Sequence, residues 1–202
     1  MNYLAIDTSG KNLTVVVCKN GEIFSYNDDE CGVNHSVYLM PKVEELALKA
    51  GFDFNSADFF ACVVGAGSFT GIRIGVATVK ALCFAYKKPC LSITSFDTIA
   101  YNKKGGKVLA VIDAKHNGFY VCGYNDNKVD FEPAYIMREQ VEKLLGEYTA
   151  LSTTVIKDMQ TEIVSVSDGL INAIADKADG GCTSPDLLTP LYVRKSQAEE
   201  GR

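Results

Sequence analysis

FFACVVGAGSFTGIRIGVATVKALCFA, residues 59–85, runs an apolar strand into a glycine-rich turn and then into an almost uncharged helix. Strand, glycine turn and helix together form the arrangement in which free backbone N–H groups at a helix start hold an anion, so a nucleotide site is the first reading to test. Gly65, Gly67 and Gly71 are spaced G-x-G-x-x-x-G. A phosphate-cradling P-loop needs a Lys and a hydroxyl after its last glycine; Ile72 and Arg73 follow here. A dinucleotide turn comes after the first strand of its unit and precedes an acidic residue about 20 positions on. This turn follows the fourth strand of the pattern, and the next acid downstream is Asp97. Neither fingerprint fits. The remaining reading is geometric: the glycines turn the strand sharply into the helix, and Ser68 or Thr70 caps its start.

Outward from this stretch the chain repeats itself. LAIDTSGKNLTVVVC from Leu4 and LAVIDAKHNGFYVCGY from Leu109 each show an apolar strand ending in Asp (Asp7, Asp113), a polar turn and a second strand with Val-Cys. A period of about a hundred residues signals a duplicated domain rather than a solenoid. After the first copy the pattern predicts a strand at 22–27, a helix at 34–50, a strand at 59–64, a helix at 70–86 and a strand at 89–93. After the second it predicts a strand at 129–136, a helix at 139–145 and a late helix at 168–178. The Thr and Val content of 148–166 points to strands. Strand, strand, strand, helix, strand, helix, given twice and abbreviated the second time, predicts an α/β protein of the actin-like (ASKHA) fold: two duplicated halves with mixed sheets, divided at 1–102 and 103–202.

The chain carries a formal net charge of -5, is 47% apolar and has no cluster of Lys or Arg beyond pairs, so it lacks the basic stripe that tracks phosphates. The start MNYLAIDTS has no leader pattern and no stretch has the ~20 uncharged apolar residues of a membrane span, so a cytoplasmic protein with no membrane partner is expected. Seven cysteines without a C-x-x-C pair read as reduced core thiols. Asp7 and Asp113 stand where an actin-like kinase places metal-bridging carboxylates, but strand-terminal aspartates also fix turns. The two histidines, His35 and His116, lie in distant turns without ligand spacing and are expected at the surface. No nucleophile has a recognisable base beside it. Hence no catalytic, cofactor or metal residue is assigned.

The helix at 70–86 carries only Arg73 and Lys80 as charges. Gly71, Gly75, Thr78 and Ala81 give it a seam of small residues that admits another helix closely. In the preceding helix Leu39, Val43, Leu46 and Ala50 form one apolar line and Val37, Met40 and Ala47 another, more apolar surface than one core needs, and Pro41 is expected in or near the first turn. Burial inside the chain's own domain and burial against a partner are equally open on the residues alone.

LAIDTS at the start, GAGSFTGIRIG after the fourth strand, NHSVYLMPKVEEL in the first helix and PLYVRKSQAE at the carboxyl end resemble the bacterial TsaB family, also called YeaZ. The resemblance spans the chain, loosest between 125 and 185. It implies a non-catalytic paralogue of TsaD that supports TsaD and the ATPase TsaE in the threonylcarbamoyl modification of the adenosine beside the tRNA anticodon, reaching tRNA only through that complex. Catalytic relatives carry a metal-binding His-x-x-x-His after the fifth strand; Ser95 and Ile99 stand at those positions here. The family's usual Gly-Pro-Gly is Gly65-Ala66-Gly67. Family members pair through the two helices, which tips the balance toward a partner surface at Leu39, Val43, Leu46, Gly71, Ile72, Arg73, Gly75 and Val79, with a homodimer through the same helices also open. The competing functions are an actin-like ATP-dependent kinase or carbamoyl-transfer enzyme and, less compatible with the missing histidine pair, a metallopeptidase.

Overall fold

The computed structural model describes residues 1–194, which form two compact units. The first comprises Met1–Thr94 and Ile174–Leu191; the second comprises Ser95–Ala173 and, of the described tail, 192–194. The units thus interleave along the chain, whereas the repeat was divided at 102/103.

In the first unit, strands β1 (Tyr3–Asp7), β2 (Leu13–Lys19) and β3 (Glu22–Asp28) form an antiparallel meander. Strands β4 (Phe59–Val63) and β5 (Cys90–Ile93) add in parallel, giving the order β3-β2-β1-β4-β5. Strands β1 and β4 are buried at every residue, as their unbroken apolar runs require of strands covered on both faces. Helices α1 (His35–Ala50) and α2 (Phe69–Tyr86) pack on one face, over Leu4, Ile6, Val15, Val17, Phe60 and Cys62. By length and hydropathy α2 resembles a membrane span, yet seven of its residues are buried in this core. Gly51, in the left-handed region at φ 58°, ends α1, where Gly is the favoured residue. Pro41 lies in the second turn of α1, not the first, and on its exposed side. There the Val37 carbonyl that loses its helical donor belongs to an exposed residue, so water can replace the bond.

The chain returns to this unit late. Cys90 and Thr183 exchange two backbone hydrogen bonds of 2.9 and 2.8 Å, a 3-10 turn runs over Pro185–Leu187, and Leu188 is fully buried in the same core.

The second unit repeats the plan. Strands β6 (Lys107–Asp113), β7 (Gly118–Asn125) and β8 (Lys128–Met137) are antiparallel, and β9 (Thr149–Ser152) and β10 (Glu162–Ile163) add in parallel. Its order β10-β9-β6-β7-β8, taken from the other edge, is that of the first sheet. Helices α3 (Ser95–Ala100), α4 (Arg138–Leu144) and the first half of α5 (Val166–Gly181) complete the plan; from Ile174 on α5 belongs to the first unit, and it loses helical backbone at Asp179 and Gly180. The abbreviation is physical: α4 has 7 residues where α1 has 16, and β10 has 2 where β5 has 4. Two α/β halves with the same mixed five-stranded sheet are the actin-like (ASKHA) fold. Each hairpin opens with the same device: the Ser9 N–H donates to Asp7 Oδ1 at 2.7 Å and the Lys115 N–H donates to Asp113 Oδ1 at 2.8 Å.

The second core gathers Leu109, Val111, Phe119, Val121, Val141, Tyr148, Ala150 and Ile156. Helix α3 was not anticipated from its own pattern; six residues are too few for a period to show. It is held from above and below, by Tyr124 donating to Asp97 Oδ1 at 2.9 Å and by Gly169 of α5, where any Cβ would strike the Thr98 carbonyl.

Candidate functional site

The glycine turn after β4 spends its polar groups internally. The Ser68 N–H donates to the Ser9 carbonyl at 2.7 Å, the Gly71 N–H to Ser68 Oγ at 3.2 Å and the Ile72 N–H to the Ser68 carbonyl at 2.9 Å. Ser68 is therefore the cap. Thr8 Oγ1 donates to the Gly71 carbonyl at 2.7 Å, pinning the first turn of α2 to the β1–β2 hairpin. Gly65 sits at φ 117°, where a side chain is strained, and a Cβ there would lie 2.6 Å from the Leu191 carbonyl. The Leu191 N–H in turn donates to the Val64 carbonyl at 2.7 Å. The turn is thus packed between the hairpin and the returning chain, and its Ser68 and Gly71 amides, of the kind that would face a phosphate, hold protein oxygens.

The two strand-end carboxylates have diverged. Asp7 is 2% exposed; burial raises its pKa, against the lowering effect of Ser9 and of His35 nearby. For Asp113 burial acts in the same raising sense but is outweighed by the Lys115 N–H and ammonium, and the pKa falls. The sign for stability follows from linkage. With its folded pKa above the unfolded value, Asp7 adds no penalty below the ordinary carboxyl range, and stability is lost as pH rises through the folded pKa. Asp7→Asn keeps an oxygen for the Ser9 N–H and removes the ionisation. The variant is expected to melt above the parent at about pH 8, the gap closing toward about pH 4; a pH series of thermal melts checks it, and an unchanged gap would contradict the assignment.

His35 is buried, not at the surface as expected: at 3% exposure its Nε2 lies 2.9 Å from the Asn12 carbonyl, tying the start of α1 to the same hairpin. His116 is exposed at the tip of the β6–β7 hairpin, at φ 50°. All seven cysteines are free; six are buried and Cys182 is half-buried. Burial, then neighbouring Cys90, pushes the Cys83 thiol up to about 12, far from a reactive thiolate. Ser95 and Ile99 lie in α3, both buried.

The residues expected to meet a partner fall on the wrong side of their helices. Leu39, Val43, Leu46, Ile72 and Val79 are 0 to 5% exposed in the unit's own core. A Cβ on Gly71 would run into the Thr8 carbonyl, and one on Gly75 would lie 2.6 Å from Thr8 Oγ1 and 3.5 Å from Cys62 Sγ. The small-residue seam admits the chain's own sheet, not another helix. Only Arg73 is exposed, its guanidinium 3.8 Å from the centroid of the Phe69 ring.

The surfaces left open are the opposite faces. On α1, Val37 is 61% exposed, Met40 40% and Leu48 85%. On α2, Phe69, Ala77, Ala81, Phe84 and Ala85 are exposed and Ile74 partly so. The spacing 74, 77, 81, 84 is a heptad stripe, visible in the sequence once the glycines are assigned to the core. In the tail, the Arg194 guanidinium lies 4.6 Å from the Tyr135 ring centroid; the KSQAE part of the PLYVRKSQAE motif lies outside the described residues.

Comparison with known proteins now bears on this geometry. The profile of the TsaD family, tRNA N6-adenosine threonylcarbamoyltransferase, matches residues 29–166. The chain is 24% identical to the tRNA threonylcarbamoyladenosine biosynthesis protein TsaB of Escherichia coli over 98% of this chain and 96% of that protein. It is 32% identical to the protein of the same description from Bacillus subtilis, over 61% of this chain and 55% of that one. Among solved structures, one from Pseudomonas aeruginosa, described as an uncharacterized protein with similarity to peptidase YEAZ, superposes with a TM-score of 0.78 at 24% identity, covering 96% of this chain and 99% of that one. YeaZ from the same organism gives 0.76 at 22%, covering 95% and 99%. These structures, each under 25% identical, speak to the fold.

Proposed function

Because the chain belongs to the TsaD family, on its TsaB (YeaZ) branch, we propose that it is a non-catalytic subunit that supports threonylcarbamoylation of the adenosine beside the tRNA anticodon by docking a TsaD-like paralogue. The observation that carries this reading is the pair of adjacent helices whose inner faces already fill a core while their outer faces still show Val37, Met40, Leu48 and Phe84 to solvent. Scattered exposed apolar residues need no explanation; large apolar side chains left exposed on two helices that pack against each other make these outer faces the candidate interaction surface. The glycine turn supports the same reading, since its Ser68 and Gly71 amides serve the protein's own oxygens.

A TsaE-like ATPase is the third component of this proposal, in the cytoplasm, with tRNA contacted through the assembly. A homodimer through the same outer faces would compete with the paralogue for them. Reconstitution tests the reading: the chain, the TsaD-like and the TsaE-like proteins of the same organism are combined with tRNA, ATP and threonylcarbamoyl precursor, and each is omitted in turn. Omitting this chain is expected to abolish incorporation, and the chain alone is expected to give none. ATP turnover by the isolated chain that disappears in Asp7→Asn would overturn the proposal.

A further inference from the structure

At the carboxyl end of α2 the outer face runs into an open groove of about 450 Å³ between that helix end and the returning chain at 182–185. Its apolar surface comes from Cys83, Phe84, Pro89 and Pro185, and the ions among its lining residues are Lys87 and Lys88. Both lysines follow the last turn of α2, where cations are favoured in any case; the apolar walls beside them are not something a helix end requires. The acidic groups nearby are Asp186, which accepts from Ser184 Oγ at 3.4 Å, and Asp58, whose charge acts on Cys182. Phe84, 59% exposed, belongs both to the apolar stripe of α2 and to the groove wall, so the two surfaces are continuous.

We propose that this groove receives, from the subunit docked on the outer faces of α1 and α2, an acidic side chain with an apolar neighbour, the carboxylate meeting Lys87 and Lys88 and the apolar group lying against Phe84 and Pro89. The inference rests on the docking reading above and adds a charged anchor to it. It assigns to an acidic chain of net charge -5 a local basic site at the rim of an apolar interface, the place where charge complementarity sets specificity and on-rate.

The test uses the full-length chain and the TsaD-like paralogue as probe. Lys87→Glu with Lys88→Glu, both outside the core, is expected to weaken paralogue binding by about tenfold or more at about 50 mM salt, with the deficit shrinking at about 500 mM, and to leave the melting temperature in place. Cys182, the one thiol of the seven that is not buried, also lines the groove. Burial, then Cys90 and Asp58, raises its thiol above the ordinary range, so it is expected to react with N-ethylmaleimide only slowly in the free chain at about pH 8.5, and more slowly still in the complex. If Ala81→Glu breaks the complex while the double charge reversal leaves affinity unchanged and Cys182 is labelled equally fast in both states, the groove has no part in docking. If Ala81→Glu is also without effect, the docking reading itself has failed. Loss of self-association, with paralogue binding intact, would assign the groove to a second copy of this chain and overturn the proposal.

Discussion

Gly75→Leu is expected to lower the melting temperature of the isolated chain by about 6–12 °C, whatever its partners. The first atom added already meets Thr8 Oγ1 at 2.6 Å, Cys62 Sγ at 3.5 Å and Ile6 Cγ2 at 3.9 Å, and a leucine adds three more carbons against a buried sheet. Forcing methylenes into a packed core costs about 1–3 kcal/mol. Here Thr8 would also have to turn away from the Gly71 carbonyl, breaking a buried hydrogen bond worth about 1 kcal/mol and leaving an acceptor unsatisfied. A total near 3 kcal/mol translates to that shift for a chain of about 200 residues, at about 2–4 °C per kcal/mol. Ala77→Leu, on the exposed face of the same helix, is the control and should melt like the parent. A Gly75→Leu protein that melts normally but loses its partner would return the glycine seam to the interface.

Ala81→Glu should do the reverse: leave the melt unchanged and raise the dissociation constant for the TsaD-like paralogue by about thirtyfold or more. Ala81 is exposed on α2, on the stripe that Ile74, Ala77 and Phe84 continue, so in the free protein a glutamate there stays solvated. In a packed interface it must lose that water, and a central position of this kind costs about 2 kcal/mol or more when disrupted, the equivalent of that change in affinity. Leu48→Glu on α1, at 85% exposure, should act in the same direction. Titration calorimetry and thermal melts on one preparation separate the two effects. An affinity within twofold of the parent would place the partner surface elsewhere.

These two substitutions also mark the limit of what the residues alone disclose. The duplicated plan was readable because Asp7 and Asp113 end matching apolar strands and because β1 and β4, buried on both faces, leave long uncharged runs. Both helices were readable from their apolar content, but not which side faces inward: a seam of Gly71 and Gly75 accommodates any close neighbour, and here that neighbour is Thr8, some 60 positions away in the chain. His35 was misplaced for a similar reason. Its polar partner is a backbone carbonyl, that of Asn12, and every residue offers one. Helix α3 has too few residues to show a period, and neighbours such as Tyr124 and Gly169 hold it.

The late return of the chain has a bearing on how this protein is made. On a ribosome the first unit emerges first and domains ordinarily fold as they appear, yet here Leu188 and Leu191 complete a core whose other members lie before residue 91, and Thr183 pairs with the backbone of Cys90. Helices α1 and α2 therefore rest on a half-finished unit until translation is almost over. A nascent chain stalled in its second half carries an unfilled apolar site against α2, a surface for chaperones, so that the proposed docking helices gain their finished support only when the polypeptide is nearly whole.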